Sequence, residues 1–130
     1  MVNYAVIGTS AITEKFIDGA NSAGGLNLAA VCSRSAERGR AFAEKHGAKR
    51  VFTDLTEAAK SDIEAFYIAS PNSAHYEQAK LLLKHKKHVL CEKTVAKSGG
   101  PVQELCDISR ENNVIFLEAI KSMFNPGAEF

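Results

Sequence analysis

No apolar run in this 130-residue chain is long enough to cross a bilayer. The longest, Leu28 to Cys32 and Ala65 to Ala69, hold five residues each, against the ~20 that a spanning helix needs. The opening Met1-Val2-Asn3-Tyr4 carries neither a basic region nor an apolar stretch of signal-peptide length. The expectation is a cytoplasmic protein with no membrane partner. An excess of either charge is also missing: 16 Lys and Arg against 15 Asp and Glu leave a net charge of +1. Lys84, Lys86 and Lys87 form the one basic run, without interleaved aromatics, so no nucleic-acid partner is expected. Cysteine is sparse. Cys32, Cys91 and Cys106 are odd in number and not closely paired, and read as reduced, mostly buried thiols. No CxxC or HxxxH spacing closes a tetrahedral shell, so no metal is expected. With no repeat, linker or low-complexity segment, and with 45% hydrophobic and 24% charged residues, the composition is that of one ordinary globular domain. A chain of this length buries about two-thirds of its unfolded surface without a staple.

What the sequence does contain is an alternation of strand and helix signals. Apolar runs at Tyr4–Ile7, Leu26–Cys32, Arg50–Thr53, Ala65–Ala69, Val89–Cys91 and Val114–Leu117 read as six strands. Between them lie helical stripes: Ile12, Phe16, Ile17, Ala20 and Ala23; Ala36, Phe42 and Ala43; a short one around Leu55 to Lys60; Ala79, Leu82 and Leu83; and Val102, Leu105, Cys106 and Ile108. Ser35 and Ser73 stand as helix starts, Gly24-Gly25 and Gly47 as stops, and Pro101 suits a first helical position. This rhythm predicts an α/β fold: a Rossmann-type, doubly wound, mostly parallel sheet with helices on both faces and strand order 3-2-1-4-5-6. Such a sheet binds its ligand beyond the carboxyl ends of the strands, so the loops there carry the functional reading.

After the first strand, Gly8-Thr9-Ser10-Ala11-Ile12-Thr13 keeps only the first glycine of G-x-G-x-x-G, with Ser10 at the second. A following helix N-terminus still offers N–H groups to a phosphate. After the second strand comes Ser33-Arg34-Ser35, with Arg38 one turn beyond Arg34. An acid at Ser33 would read a ribose diol; a small neutral residue beside cations suits a 2′-phosphate, hence NADP in preference to NAD. A solvated arginine at a helix start is the competing reading, although the helix dipole disfavours a cation there. Ser70-Pro71-Asn72-Ser73 and His75 follow the fourth strand; Glu92-Lys93-Thr94 follow the fifth. Neighbouring strand residues point to opposite faces, so Glu92 and Lys93 are poor partners for each other. His46, His85 and His88 read as structural or solvated.

Taken together, Gly8 to Ile12, Val31-Cys32-Ser33-Arg34 with Glu37-Arg38, Tyr67 to His75, and Lys87 to Thr94 resemble the glucose-fructose oxidoreductase / inositol dehydrogenase (Gfo/Idh/MocA) family. The resemblance covers the whole chain and rests most on its two later segments. It implies the nucleotide domain of an NAD(P)-dependent oxidoreductase acting on a sugar, polyol or related small molecule, homo-oligomeric at full length. It implies Lys93 as the catalytic residue, matching the lysine of a Glu-Lys-Pro motif, with Glu92 at the same pocket. It implies Ser70, Pro71, Asn72 and His75 at the nicotinamide ribose. Thr94 stands where the motif has proline, so a trans bond is expected before it. The family's substrate domain would follow the sixth strand and is expected to be absent from these 130 residues, leaving them inactive alone. The other function class is a non-catalytic dinucleotide-binding or sensor domain, which would need no reactive lysine. A methyltransferase would want an acid where Ser33 and Arg34 stand.

Overall fold

The structure, a computed structural model, describes residues 2–70, 74–92 and 99–119, the side chains of 99–101 and 119 excepted. Six strands, β1 (Val2–Ile7), β2 (Leu26–Cys32), β3 (Arg50–Phe52), β4 (Ala65–Ile68), β5 (His88–Glu92) and β6 (Phe116–Ala119), alternate with helices α1 (Ala11–Ala23), α2 (Ala36–His46), α3 (Leu55–Ala59), α4 (His75–Lys84) and α5 (Gly99–Glu111). The strands form one sheet in the order β3-β2-β1-β4-β5-β6, and every pairing is parallel. This is the order that the alternation predicts. The chain moves outward one way from β1 and the other way from β4. Right-handed crossovers therefore put α1 and α2 on one face and α3, α4 and α5 on the other.

Alternation along each strand feeds both faces. Tyr4, Val6, Leu28, Val31 and Tyr67 pack with Ile17, Ala20, Phe42 and Ala43 under α1 and α2. Ala5, Ile7, Ala30, Phe66, Ile68, Val89 and Cys91 pack with Ala58, Leu82, Leu83, Leu105 and Ile108 on the opposite side. The register shifts between Tyr4 and Ala5: Tyr4 pairs with Leu28, but Ala5 with Ala30. Ala29 is thus an extra residue, and Ala29 and Ala30 both pack against the α3–α5 core.

Local chemistry fixes the helix ends. Ser35 caps α2, its Oγ accepting from the Arg38 N–H at 3.2 Å, and Gly47 stops it in the left-handed region at φ 81°. Several helical faces differ from the apolar stripes. In α1 the buried residues are Thr13, Ile17 and Ala20. Ile12, 46% exposed, lies in the first turn, and Ala23 is exposed near the far end. In α2 the buried contact is Gly39, with Ala36 only half-buried; in α5 Ser109 is buried and Cys106 half-buried. α5 begins at Gly99, two residues before Pro101, and Ser73 lies outside the described residues. Strand β6 begins at Phe116 rather than Val114. Ile115 just before it and Leu117 within it are exposed, because no described helix covers β5 and β6 on the α1 face. There Tyr4, Phe16, Tyr67, Leu90, Ile115 and Leu117 border an apolar groove of about 180 Å³.

Candidate functional site

Outward-diverging connections leave a crevice at the carboxyl ends of β1 and β4, the switch point of a doubly wound sheet. A cleft of about 710 Å³ opens there, a volume that suits a small organic ligand. Its walls are Gly8, Thr9 and Ser10 after β1, Ser33, Arg34, Ser35 and Arg38 after β2, Thr53 and Leu55 near β3, and Ala69 and Ser70 after β4.

Gly8 adopts φ +110°, which disfavours any other residue. A Cβ there would lie 2.8 Å from the Ala69 carbonyl oxygen. The Gly8 N–H donates to Cys32 O at 3.1 Å and the Ala69 N–H to Ile7 O at 2.9 Å, so this one turn touches the ends of both neighbouring strands. The first helical bond of α1 runs from Glu14 N–H to Ser10 O, and Ser10 makes no side-chain cap bond. The amides of Ala11, Ile12 and Thr13 precede that bond and are not consumed by the helix. Ala11 and Ile12 enter the site through these backbone groups; their side chains do not line the cleft.

The second wall is tied down by its own hydrogen bonds. Ser33 N–H donates to Phe52 O at 3.0 Å, while Ser33 Oγ accepts from Ser35 N–H at 3.2 Å and keeps its own proton for another acceptor. Helix α2 comes close: a Cβ on Gly39 would lie 2.8 Å from Val51 Cγ1 and 3.2 Å from Ser33 Cβ. Arg34 and Arg38 are exposed on the cleft wall. Among the described residues neither guanidinium has a carboxylate partner.

At the end of β4, Ser70 Oγ donates to Gln78 Oε1. His75 Nε2 lies 2.5 Å from the Ser70 carbonyl oxygen and, carrying the proton, donates to it. His75 is 1% exposed and its Nδ1 has no hydrogen-bond partner among the described residues. Among the described residues, the His75 side chain is not part of the cleft lining. The buried ring meets the cleft wall at the Ser70 carbonyl. Glu92 is likewise not on the wall; its Oε1 accepts from the Tyr67 hydroxyl at 2.5 Å. Burial first, and then that carboxylate, push the Tyr67 phenol's pKa up, so it keeps its proton to donate. Pro71, Asn72, Lys93 and Thr94 lie outside the described residues.

Burial pushes the thiols of Cys32 and Cys91 up to about 12, which makes them inert packing groups. Cys106 is only half-buried. His85 Nδ1 meets Leu81 O at 2.9 Å and His88 Nδ1 accepts from Ile115 N–H at 3.0 Å, structural roles for both. Sequence reasoning missed Thr53, Leu55 and Gln78 on the cleft and Tyr67 behind it. Tyr67 sits within an unbroken apolar run, which signals packing and gives no sign of a hydrogen bond.

A parallel sheet in this order, with a glycine turn leading into a helix N-terminus at its switch point, defines an NAD(P)-binding domain of the Rossmann type. The chain belongs to the Gfo/Idh/MocA oxidoreductase family: the model of that family, described as an oxidoreductase family with an NAD-binding Rossmann fold, matches residues 2–119. It is 46% identical over 127 residues, 97% of its length, to the scyllo-inositol 2-dehydrogenase (NADP(+)) IolU of Bacillus subtilis. It is 43% identical over 127 residues to the oxidoreductase YgjR of Escherichia coli. It covers 39% of each of these relatives. An NAD-binding oxidoreductase from Klebsiella pneumoniae superposes with a TM-score of 0.89 at 25% identity, over 98% of this chain and 36% of that one. The 3-ketoreductase KijD10 of Actinomadura kijaniata shares the fold with a TM-score of 0.88 at 24% identity, over 97% of this chain and 39% of that one. No helix among the described residues is long and apolar enough to cross a membrane.

Proposed function

We propose that residues 1–130 are the nucleotide-binding portion of a cytoplasmic oxidoreductase, homo-oligomeric at full length, that prefers NADP to NAD and oxidises a sugar or polyol held by residues outside this domain. The observation that carries the cofactor choice is the pair of guanidinium groups, Arg34 and Arg38, without a carboxylate partner among the described residues, on a cleft wall whose ribose-reading position is the neutral Ser33. A 2′-phosphate would find two cations and a hydroxyl there, whereas a free diol would find no carboxylate to bond. A charge-assisted hydrogen bond contributes ~1.5–3 kcal/mol, about a ten- to hundredfold preference. The name of the Bacillus subtilis relative, with its NADP(+) and scyllo-inositol, supports the same choice of cofactor and a cyclic polyol as the substrate to try first.

The residues divide the work by position. Gly8, Thr9 and Ser10, with the free amides of Ala11 and Ile12, would hold the pyrophosphate at the positive end of α1. Ser70, Pro71 and Asn72 would border the nicotinamide ribose, with His75 bracing Ser70 from behind. A bound nicotinamide dinucleotide supplies the hydride acceptor. Lys93, as the neutral amine, takes the hydroxyl proton while the alcohol carbon becomes a carbonyl, with Glu92 preceding it at the end of β5. A lysine after β5 is what separates this reading from a dinucleotide sensor. Titrating the chain with NADP, NAD and S-adenosylmethionine tests the binding half. NADP should bind about ten- to hundredfold more tightly than NAD and the third ligand should not bind; equal or tighter NAD binding overturns the NADP preference.

A further inference from the structure

We propose that Tyr67 is a positioning residue that fixes the Glu92 carboxylate, and through it the end of β5 from which Lys93 departs. This deepens the oxidoreductase reading and rests on it. Tyr67 lies in the middle of the sheet, 3% exposed. Its ring stacks on Phe16 of α1, with centroids 3.9 Å apart and planes 5° from parallel; Phe16 in turn meets Tyr4 edge-on at 5.7 Å. The ring is therefore locked between sheet and helix, and only its hydroxyl is left to act. In the parallel register Tyr67 pairs with Leu90, so Glu92 is the next residue of β5 on the same face, within diagonal reach of a long side chain. The hydroxyl makes that reach, donating to Glu92 Oε1 at 2.5 Å.

Packing alone does not account for this hydroxyl. Phenylalanine would satisfy the stack on Phe16 and the apolar surroundings of Leu90 and Leu117. The phenol adds a held carboxylate at the last residue of β5, one position before the expected catalytic lysine. Glu92 is only half-buried; released from Tyr67, its carboxylate would turn to water, and the strand end would lose this side-chain tether to β4. Tyr67 thereby couples the end of β5 to α1, whose first turn would offer amides to the pyrophosphate.

The test is a double-mutant cycle on turnover in the full-length protein, using Tyr67→Phe and Glu92→Ala, with amide hydrogen exchange as a second readout. Tyr67→Phe should lower kcat about tenfold, the usual weight of one well-placed hydrogen bond, with KM for the dinucleotide within about twofold. In the Glu92→Ala background the same change should have no further effect, because Tyr67 acts only through that carboxylate. Exchange in the segment from His88 to Lys93 should speed up in Tyr67→Phe while that of β1 and β2 stays put. Unchanged kcat, an equal loss in the Glu92→Ala background, or exchange rising evenly across the sheet would overturn the proposal. Lys93→Ala separates the two levels: retained turnover there removes the lysine from the chemistry whatever the Tyr67 cycle gives.

Discussion

Gly8 and Ala69 approach so closely that the methyl group Gly8 lacks would sit 2.8 Å from the Ala69 carbonyl oxygen. The partner is backbone at the end of a central strand, which cannot swing aside as a side-chain tip would. The glycine is therefore held by the fold as well as by any ligand. It lets the turn after β1 pass over the end of β4, and so draws the two halves of the sheet into one cleft.

Gly8→Ala should cost about 1–3 kcal/mol of stability, the range for a residue forced into a disfavoured backbone region, with the contact to Ala69 adding to it. Affinity for a dinucleotide should fall as well, by about tenfold or more, because moving the turn by even a few tenths of an ångström displaces the amides at the start of α1. Chemical denaturation and a fluorescence titration with reduced cofactor measure the two effects. Wild-type stability in this variant would refute the close approach.

Arg34→Ala should weaken NADP binding about ten- to hundredfold and leave NAD binding nearly unchanged. Arg38→Ala should act the same way, less than additively, since both would face one phosphate. Isothermal titration of each variant with both cofactors reads this directly. A parallel loss for NADP and NAD would mean that the arginines hold the fold or the pyrophosphate instead.

Lys93→Ala in the full-length protein should lower turnover by about two to four decades, the weight of a general acid–base group. Cofactor affinity should change far less. Steady-state rates with an inositol and a cofactor titration on the same sample separate the two quantities. The expectation fails if turnover survives.

Stability should fall on acidification. Hydrogen bonds hold four carboxyls, Asp62 and Glu104 exposed and Glu14 and Asp107 half-buried, below their ordinary values: from Lys45 to Glu14, from Arg50 to Asp62, from Tyr76 to Glu104 and from Gln103 to Asp107. A carboxyl whose pKa is lower folded than unfolded contributes stability that is fully present above the unfolded value, about 4. That contribution is lost as pH drops through the folded value. Because all four groups face solvent, each contribution is small. Urea midpoints should be level above about pH 5 and decline below about pH 4. A midpoint that rose on acidification would contradict the assigned pairs.

The order of the strands was legible because period and punctuation agree: continuous apolar runs mark strands buried on both faces, and glycines or capping serines mark the breaks. The cleft was legible for the same reason, since a doubly wound sheet leaves no other place for it. What escaped was what depends on distance in space. Gly39 carries no apolar signal, yet it is the residue of α2 that meets β3. Tyr67 reads as core, yet its hydroxyl answers a carboxylate on another strand. His75 stands in a polar loop context, and nothing in the sequence announces that its ring is buried against the Ser70 carbonyl.

The contact at Gly39 bears on how the protein can be re-engineered. Helix α2 rests on Val51 and Ser33 with no room for one added carbon, and the same helix carries Arg38 to the cleft. A designer who wanted this domain to accept the other nicotinamide cofactor would be tempted to rewrite the whole stretch from Ser33 onward. The tight fit splits that stretch into two kinds of position. At Arg34 and Arg38 an exchange meets no packing, because both residues are exposed on the cleft wall. At Ser33 and Gly39 a larger residue would lever the helix away from the sheet, so selectivity and foldedness would be lost together. An acid placed at Arg34, with Ser33 and Gly39 left as they are, is the exchange the geometry permits.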